Sequence, residues 1–526
     1  MHYIKDSILF VKKQKGVRQH INAGLKVIEA FKEPLIQANA ENYPLIGYIG
    51  YFCCTKQRTM SSIKFGTDGW RAIIAEDYTI ENVTRVAEAT ARWLLKNNAK
   101  PTVVVGYDCR FGGKMFAETV TKVLAYYNIR VFLSTDFVST PMTSLGVLHH
   151  KATVGVIITA SHNPGSYNGY KLKGSYGGPL LAENVKEIEE LIDERSSVDT
   201  KSLDLKGYID KKLVQYTDLE TLYVKQVEKN FDLKLIKKSG LNLAYDSMYG
   251  AGQNVIKRLF PDATLLHCVN NPSFGGTAPE PIERNLQEFE SLIKKSKNVD
   301  FGLATDGDAD RIGVYNGKGH FIDSHNIILL LVHYLVAYKK MKGKVCVAFS
   351  VTEKIKKISK HYNLPLEVVK VGFKYICGVM ISEDVLIGAE ESGGMAIKGH
   401  IPERDGIWIG LTLLEFMAKT GKSIDELIKE VTKITGKFAY KRIDMHITEE
   451  KKQQILKNCK EKKFTAFGKF KVEHIEDLDG YKFFFNPDEW MMIRASGTEP
   501  VLRLYAEASS DANADAILAA TCKVVG

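Results

Sequence analysis

The stretch Val299-Asp-Phe-Gly-Leu-Ala-Thr-Asp-Gly-Asp-Ala-Asp-Arg311 joins an apolar run to three alternating aspartates. Side chains at positions i, i+2 and i+4 of an extended segment share one side, so Asp306, Asp308 and Asp310 are predicted to converge. Converging carboxylates repel one another unless a cation lies between them, and all-oxygen ligation indicates Mg²⁺, Mn²⁺ or Ca²⁺. The pattern predicts a metal loop after a buried strand, with a solvated acidic loop as the alternative.

The residues that follow exclude an EF-hand calcium loop. An EF-hand requires glycine at loop position 6 and glutamate at position 12. Counted from Asp306, those positions hold Arg311 and Gly317. We therefore favour one catalytic Mg²⁺, an ion that keeps few protein ligands and binds substrate phosphate oxygens.

Length and composition are those of an ordinary multidomain protein. The chain of 526 residues exceeds what one hydrophobic core supports, so we expect three or four domains. The eight cysteines form no CxxC or Cys/His metal spacing, which favours reduced thiols and a cytoplasmic location. No apolar run reaches about 20 residues, so no membrane span is predicted, and Ile327–Tyr338 is expected to be a buried helix.

The net charge of +10 is concentrated at the N-terminus. Residues 1–59 carry nine basic and four acidic residues, which gives +5. The remaining residues have no basic stripe interleaved with aromatic residues, so nucleic acid is not expected as a partner. Their mild positive charge suits a site that binds phosphorylated metabolites. Residues 1–59 are interpreted as a basic extension, either outside the native protein, with Met60 as the true start, or a dispensable arm.

From Met60 onward, predicted strands alternate with predicted helices. Three times an apolar strand ends in a polar residue and precedes a helix, at Val103–Asp108, Leu241–Asp246 and Val345–Ser350. This repetition predicts three related α/β domains.

The last part of the chain has a different pattern, which predicts an α+β domain. A lysine-rich helix over Glu449–Lys460 stands among strands predicted over Lys437–Ile447, Phe470–Ile475 and Tyr481–Ile493. The predicted domains cover residues 60–208, 209–318, 319–435 and 436–526.

Three further motifs carry polar groups on loops. Thr159-Ala-Ser-His-Asn-Pro164 follows the apolar strand Val154–Ile158 and presents Ser161, although a turn or N-cap serine is the alternative. In Gly388-Ala-Glu-Glu-Ser-Gly-Gly394, small residues let the backbone approach a ligand while a carboxylate and a hydroxyl bind sugar hydroxyls. Arg494-Ala-Ser-Gly-Thr-Glu-Pro500 offers an arginine, two hydroxyls and free N–H groups to a phosphate, with a plain hairpin turn as the alternative.

In this order along residues 61–526, these motifs resemble the α-D-phosphohexomutase family, the phosphoglucomutases and phosphomannomutases. Phe65-Gly-Thr-Asp-Gly-Trp-Arg71 is similar to the opening segment of that family. The resemblance implies four domains around a central cleft, each with one loop: a phosphoserine loop, a metal loop, a sugar-binding loop and a phosphate-binding loop.

The resemblance also implies roles for individual residues. Ser161 would carry the phosphate and, with Asp306, Asp308 and Asp310, would bind the Mg²⁺. Arg71 and Arg311 would stabilise the phosphoryl oxygens, Lys171 would act as general acid/base with a lowered pKa, and His162 would orient the loop. The substrate is expected to contact Lys374, Glu390, Ser392, Arg494, Ser496, Gly497 and Thr498.

The reaction implied is the interconversion of hexose 1-phosphate and hexose 6-phosphate through a hexose 1,6-bisphosphate intermediate, by a monomer or homodimer. The Glu390-Glu-Ser sequence and Gly372-Phe-Lys374 are similar to glucose-type enzymes, so glucose is favoured over mannose, and a glutamine typical of phosphoglucosamine mutases is missing. Two other classes fit the sequence less well. A non-catalytic relative would lack Ser161 or a metal aspartate, and a metal-dependent phosphatase would not need Arg494–Pro500.

Overall fold

The computed structural model describes residues 63–495 and 501–526. These residues form four larger sheets with flanking helices and one small two-stranded sheet, which confirms the predicted α/β and α+β fold class. The predicted basic extension (residues 1–59) and three predicted phosphate ligands (Ser496, Gly497 and Thr498) lie outside the described residues. In the described ranges, every helix is too short or too polar to cross a membrane.

The first sheet has six strands in the order β1-β5-β4-β2-β3-β6, and only β5 runs against its neighbours. Its central strands are continuous buried apolar runs, as expected for a sheet covered on both faces. The strands are β1 (Trp70–Ile73), β2 (Thr102–Tyr107), β3 (Arg130–Ser134), β4 (Val154–Ile158), β5 (Tyr167–Gly174) and β6 (Val214–Thr217). The helices are α1 (Ile80–Asn97), α2 (Gly113–Tyr126), α3 (Thr140–His149), α4 (Ala182–Glu190) and α5 (Leu205–Asp210).

The second sheet has the order β11-β10-β9-β7-β8, with parallel pairing from β9 through β7 to β8 and antiparallel pairing from β9 to β11. Its strands are β7 (Leu243–Asp246), β8 (Thr264–Leu266), β9 (Phe301–Thr305), β10 (Ile312–Asn316) and β11 (Phe321–Ile322). Its helices are α6 (Leu219–Asn230), α7 (Leu233–Lys238), α8 (Gln253–Leu259) and α9 (Gln287–Lys295).

The third sheet is smaller, with the order β13-β12-β14-β15, and only β15 is antiparallel to its neighbour. Its strands are β12 (Lys344–Ala348), β13 (Leu366–Val369), β14 (Val385–Ala389) and β15 (Met395–Ile397). Its helices are α10 (Ser324–His333), α11 (Lys354–His361), α12 (Phe373–Ser382), α13 (Gly406–Thr420) and α14 (Ile424–Thr435). The helix predicted over Ile327–Tyr338 is confirmed: α10 continues into a π-helical turn at Tyr334–Tyr338.

The fourth sheet is fully antiparallel, in the order β16-β22-β21-β20-β19. Its strands are β16 (Ala439–His446), β19 (His474–Glu476), β20 (Tyr481–Asn486), β21 (Glu489–Ala495) and β22 (Val501–Ala508). The short strands β17 (Ala466–Phe467) and β18 (Phe470–Lys471) form a separate hairpin. The helices are α15 (Glu449–Lys460), as predicted, and α16 (Asp511–Val525).

Two strand predictions in this domain are wrong in detail. The segment Phe470–Ile475 divides between β18 and β19, which belong to different sheets. The segment Tyr481–Ile493 is a hairpin rather than one strand, because Pro487 lies between β20 and β21 and cannot donate to a sheet ladder.

Candidate active site

Ser161 lies in the loop after β4, where the chain leaves the first sheet. Its backbone adopts the left-handed region, with φ of 53°, a strained conformation that persists only where the surroundings hold it. One buried guanidinium supplies that hold, because Arg110 donates hydrogen bonds to the carbonyl oxygens of Ser161, Asn163, Pro164 and Tyr167.

Asp108 and Thr159 complete the support of the serine loop. Asp108 pairs with Arg110 at 3.2 Å and accepts a hydrogen bond from the hydroxyl of Thr159. That hydroxyl in turn accepts the N–H of Ser161 at 2.9 Å. Burial raises the pKa of Asp108 to about 6, against the opposing effect of Arg110. Sequence analysis missed the roles of Asp108 and Arg110, although polar residues directly after a buried strand were an available signal.

The three aspartates do converge, but not in the predicted way. Asp306, Asp308 and Asp310 are fully buried, and each offers an oxygen within 4.8 Å of the other two. The expected extended segment is wrong, because the residues form the turn between β9 and β10 and Ala309 is left-handed. The turn is closed by the N–H of Arg311, which donates to a carboxylate oxygen of Asp306 at 3.0 Å.

Ser161 and the aspartate turn meet although they are 145 positions apart in sequence. The Ser161 hydroxyl donates to Asp306 at 2.9 Å. One oxygen of Asp308 and one of Asp310 are buried without a hydrogen-bond partner. Buried unpaired carboxylate oxygens are costly, and a hard divalent cation is the group that satisfies such oxygens. The donor set therefore fits Mg²⁺.

Asp306 and Asp308 differ in their pKa values because their neighbours differ. Burial raises the pKa of Asp306 well above its usual value, and the charges of Asp308 and Asp310 add to the rise. For Asp308 the effect of burial is outweighed by Lys171, which lowers the pKa of that carboxyl below its usual value. The Asp306 carboxyl is therefore harder to ionise than usual, whereas the neighbouring Asp308 carboxyl is easier to ionise than usual.

Lys171 is completely buried among carboxylates. Its ammonium lies 2.7 Å from Asp308, 2.8 Å from Asp68 and 3.4 Å from Asp310. Burial alone would lower the pKa of Lys171, but these three carboxylates outweigh it and raise the pKa above its ordinary value. The expectation that Lys171 has a lowered pKa is therefore wrong: its close neighbours are anions, and the ammonium form is stabilised.

Arg404 is a central residue that sequence analysis missed. Its guanidinium lies 2.7 Å from Asp310, contacts Asp68 and is 3.8 Å from Glu390. It also lies over the ring of Phe373 at 5.4 Å. Three charged groups directly before the apolar helix α13 were the only local signal. The partners of Arg404 come from three separate parts of the chain, so no spacing rule could have identified them.

Arg71, Arg311 and His162 surround the serine and the aspartates. Arg71 donates to the side chain of Asn163 at 2.8 Å, and Arg311 lies 3.5 Å from Glu280 with its Nε unpartnered. The His162 ring is 3.4 Å from the Ser161 hydroxyl. Burial, together with the charges of Arg311 and Arg71, lowers the pKa of His162 well below its usual value, so the ring is neutral.

The sugar-binding loop predicted after β14 pairs directly with the aspartate turn. Gly393 is left-handed, and a side chain there would collide with the carbonyl oxygen of Ile312, 2.8 Å away. That glycine accepts the N–H of Ile312, so the two loops share a short ladder. Glu390 is buried beside Arg404, and burial raises its pKa to about 7 against the pull of Arg404 and Arg311.

The remaining predicted sugar contacts lie nearby but make few bonds of their own. Lys374 is in the first turn of α12 and, with Asp68, lines a cavity of about 220 Å³. Ser392 is half-buried in the turn after Glu390.

Arg494 is the last residue but one of β21 and donates a hydrogen bond to Asp479 at 3.1 Å. The same carboxylate accepts the N–H of Val371 at 2.9 Å, which links the fourth sheet to the third domain. Arg503 on β22 stands directly opposite Arg494, and its Nε is buried without a partner. Arg503 also stands opposite Asp444 on β16, so it adds a second arginine beside Arg494, the predicted phosphate ligand.

Four α/β and α+β domains that bring a strained serine to a buried acidic turn define the phosphohexomutase class. Family models for phosphoglucomutase/phosphomannomutase match the chain four times: alpha/beta/alpha domain I at residues 62–199, domain II at 221–319, domain III at 323–434 and the C-terminal domain at 447–524.

Individual relatives agree with this match over most of the chain. A phosphoglucomutase/phosphomannomutase of Thermococcus kodakarensis is 30% identical, covering 86% of this chain and 95% of its own. A phosphoglucosamine mutase of Bacillus cereus is 29% identical over 88% of this chain and 98% of its own. A crystal structure assigned as a phosphomannomutase of Thermus thermophilus is 33% identical with a TM-score of 0.78, covering 88% of this chain and 99% of its own. The chain belongs to the phosphoglucomutase/phosphomannomutase family, whose members are isomerases that act on sugar phosphates.

The raised pKa of Glu390 gives a testable pH dependence. The role predicted for Glu390 requires its ionised form, because only the carboxylate accepts hydrogen bonds from two sugar hydroxyls. Since burial raises its pKa to about 7, we expect kcat/KM for a hexose phosphate to fall as the pH drops through that value. In Glu390→Gln the decrease near pH 7 should vanish, leaving a lower activity and the titrations of Asp108 and of the substrate phosphate near pH ~6. Identical pH profiles for the two proteins would contradict this assignment.

Proposed function

We propose that the protein is a Mg²⁺-dependent phosphohexomutase that interconverts glucose 1-phosphate and glucose 6-phosphate through a phosphate carried on Ser161. The observation that carries the proposal is the bond of 2.9 Å between the Ser161 hydroxyl and Asp306 inside the buried acidic turn. A phosphoryl group that replaced the proton of this hydroxyl would place its own oxygens next to the carboxylate oxygens of the acidic turn.

Asp306, Asp308 and Asp310, together with an oxygen of the Ser161 phosphate, would hold one Mg²⁺. When bound, the ion supplies positive charge that offsets the charge of the transferring phosphoryl group. The unpartnered oxygens of Asp308 and Asp310 support this assignment.

The other residues around Ser161 would position the phosphoryl group and move protons. Arg71 and Arg311 would donate to the equatorial oxygens, which carry most of the charge during transfer. Lys171 is held as an ammonium, so it would first protonate the serine oxygen that leaves phosphorus and would then take up the proton released by the attacking sugar hydroxyl. His162 is neutral and next to the hydroxyl, which suits a residue that orients the loop.

The distal part of the site would hold the sugar and the non-reacting phosphate. Glu390, Ser392 and Lys374 would bind the sugar, and Arg494 with Ser496, Gly497 and Thr498 would bind the second phosphate. The phosphoryl group passes from Ser161 to the free hydroxyl of the hexose monophosphate, giving a hexose 1,6-bisphosphate. That intermediate turns over and returns its other phosphate to Ser161, and the same bisphosphate would activate an unphosphorylated enzyme.

We also propose the four domains at residues 60–208, 209–318, 319–435 and 436–526, with residues 1–59 as an extension dispensable for activity. The domain models, which start at residues 62, 221, 323 and 447, support four domains in this order. Because β6 (Val214–Thr217) pairs with β3 of the first sheet, we propose the first boundary after Thr217 rather than after residue 208. We propose a monomer or homodimer in the cytoplasm, and the cysteines of the described residues, which are all free thiols, support that location.

Ser161→Ala is the variant that tests the proposed mechanism. The wild-type protein should be partly phosphorylated, and intact-mass measurement should show one phosphate that Ser161→Ala lacks. Mutase activity in a coupled assay should fall by at least about 10⁴-fold, because the phosphoryl acceptor is gone. Ser166→Ala, in the same loop and exposed, is the matched control and should remain active. Full activity of Ser161→Ala would refute the mechanism.

Substrate preference needs a separate comparison, because relatives of similar identity are named for different sugars. We expect glucose 1-phosphate to give the highest kcat/KM among glucose 1-phosphate, mannose 1-phosphate, glucosamine 1-phosphate and ribose 1-phosphate. The Glu390-Glu-Ser sequence of the sugar loop is the basis of this expectation. A higher value for glucosamine 1-phosphate would assign the protein to amino-sugar metabolism instead.

A further inference from the structure

Glu391 has no role in the proposed reaction, although it lies between two residues assigned to the sugar. Glu390 contacts Arg404 in the acidic cluster, whereas Glu391 forms an ion pair with Arg442 of the C-terminal domain. One oxygen of Glu391 is 3.3 Å from the guanidinium of Arg442 on β16, and the other accepts the hydroxyl of Ser350 at 3.4 Å. The side chain of Glu391 is largely buried, at 12% exposure.

Arg442 is held in place for this contact. Asp444, two positions along β16, accepts two hydrogen bonds from its guanidinium at 2.8 Å each. The ring of Tyr505 lies 5.8 Å from the guanidinium. Because residues i and i+2 of a strand lie on one face, this carboxylate fixes the arginine on the face toward the sugar loop.

A second contact joins the same strand to the same loop region. Tyr440 is also two positions from Arg442, and its hydroxyl donates to the backbone carbonyl of Ser350 at 2.6 Å. The backbone carbonyl of Glu391 accepts the hydroxyl of Ser324. The sugar loop is therefore held between the N-terminal end of α10 and the face of β16.

The sheet that carries Arg442 also carries the predicted phosphate-binding arginine. In the register of the fourth sheet, Arg442 is opposite Tyr505, and Tyr505 is opposite Met492, two positions before Arg494. A hydrogen-bonded sheet moves largely as one body, so a contact at β16 fixes the position of Arg494 relative to the sugar loop.

We propose that Glu391 and Arg442 are positioning residues that couple the sugar loop to the phosphate-binding residues of the C-terminal domain. The inference rests on the proposed mutase function, in which a bisphosphate must stay bound while it turns over. Coupled in this way, the sugar loop and Arg494 hold the two ends of the intermediate at the same time. Without the ion pair only contacts such as Tyr440 with Ser350 and Asp479 with Val371 would couple the two ends of the site, and the intermediate would escape more often.

The test compares Glu391→Gln, Arg442→Gln and the double variant in the mutase assay, with and without added glucose 1,6-bisphosphate. Each single variant should lose about tenfold in rate without the bisphosphate and regain most of it with saturating bisphosphate, while the KM for glucose 1-phosphate changes little. The double variant should be no worse than either single one, because both remove the same coupling. Glu367→Gln removes another ion-paired glutamate of the third domain, 2.7 Å from Lys344, and serves as the control that should behave as wild type.

Three results would overturn the inference. If the mutase rates of Glu391→Gln matched those of Glu367→Gln, the ion pair would not couple the sugar loop to the C-terminal domain. Rate losses that multiply in the double variant would show that Glu391 and Arg442 act separately. Rate losses that added bisphosphate does not restore would show that the two residues only support folding. A wild-type protein without mutase activity would instead refute the proposed function, and this inference with it.

Discussion

Charge balance in a completely buried volume is the constraint on which the rest of this structure depends. Asp306, Asp308 and Asp310 are enclosed without solvent, and Asp68 and Glu390 lie at the edge of the same cluster. Ionised carboxylates in such a place are stable only with cationic partners or with a bound metal ion. The described residues supply buried cations, Lys171 and Arg404 among them, and leave one oxygen each of Asp308 and Asp310 without a hydrogen-bond partner.

This constraint explains why the site is built from several domains. Lys171 comes from the first sheet, the aspartates from the second and Arg404 from the third, so each domain is electrostatically incomplete alone. The serine loop follows the same principle, because its strained backbone is held by Arg110 and its hydroxyl is bonded to an aspartate of the next domain. The buried charges that serve the chemistry thereby also fix how the domains meet.

The sequence predicted the chemistry of this site better than its conformation. Alternating aspartates, a serine after a buried strand and the glycine-rich stretch Glu390–Gly394 are local patterns, and each lies in a loop after a strand as predicted. The turn at Ala309 was missed because convergence can be reached from an extended segment or from a tight turn, and spacing does not distinguish them. The pKa of Lys171 was predicted with the wrong sign because its neighbours Asp68 and Asp308 are distant in sequence. Arg404 was missed for the same reason, since its partner Asp68 is 336 positions away.

The central claim is that the acidic turn and Ser161 form one cation site, completed by a phosphate. The most direct measurement is the Mg²⁺ affinity of the wild-type protein by calorimetry, with Ser161 phosphorylated and with the phosphate removed, each state verified by intact mass. The account predicts that the phosphorylated protein binds Mg²⁺ at least about tenfold more tightly, because a phosphate oxygen joins the three carboxylates. Equal affinities in the two states would show that the phosphate is not part of the cation site and would contradict the account.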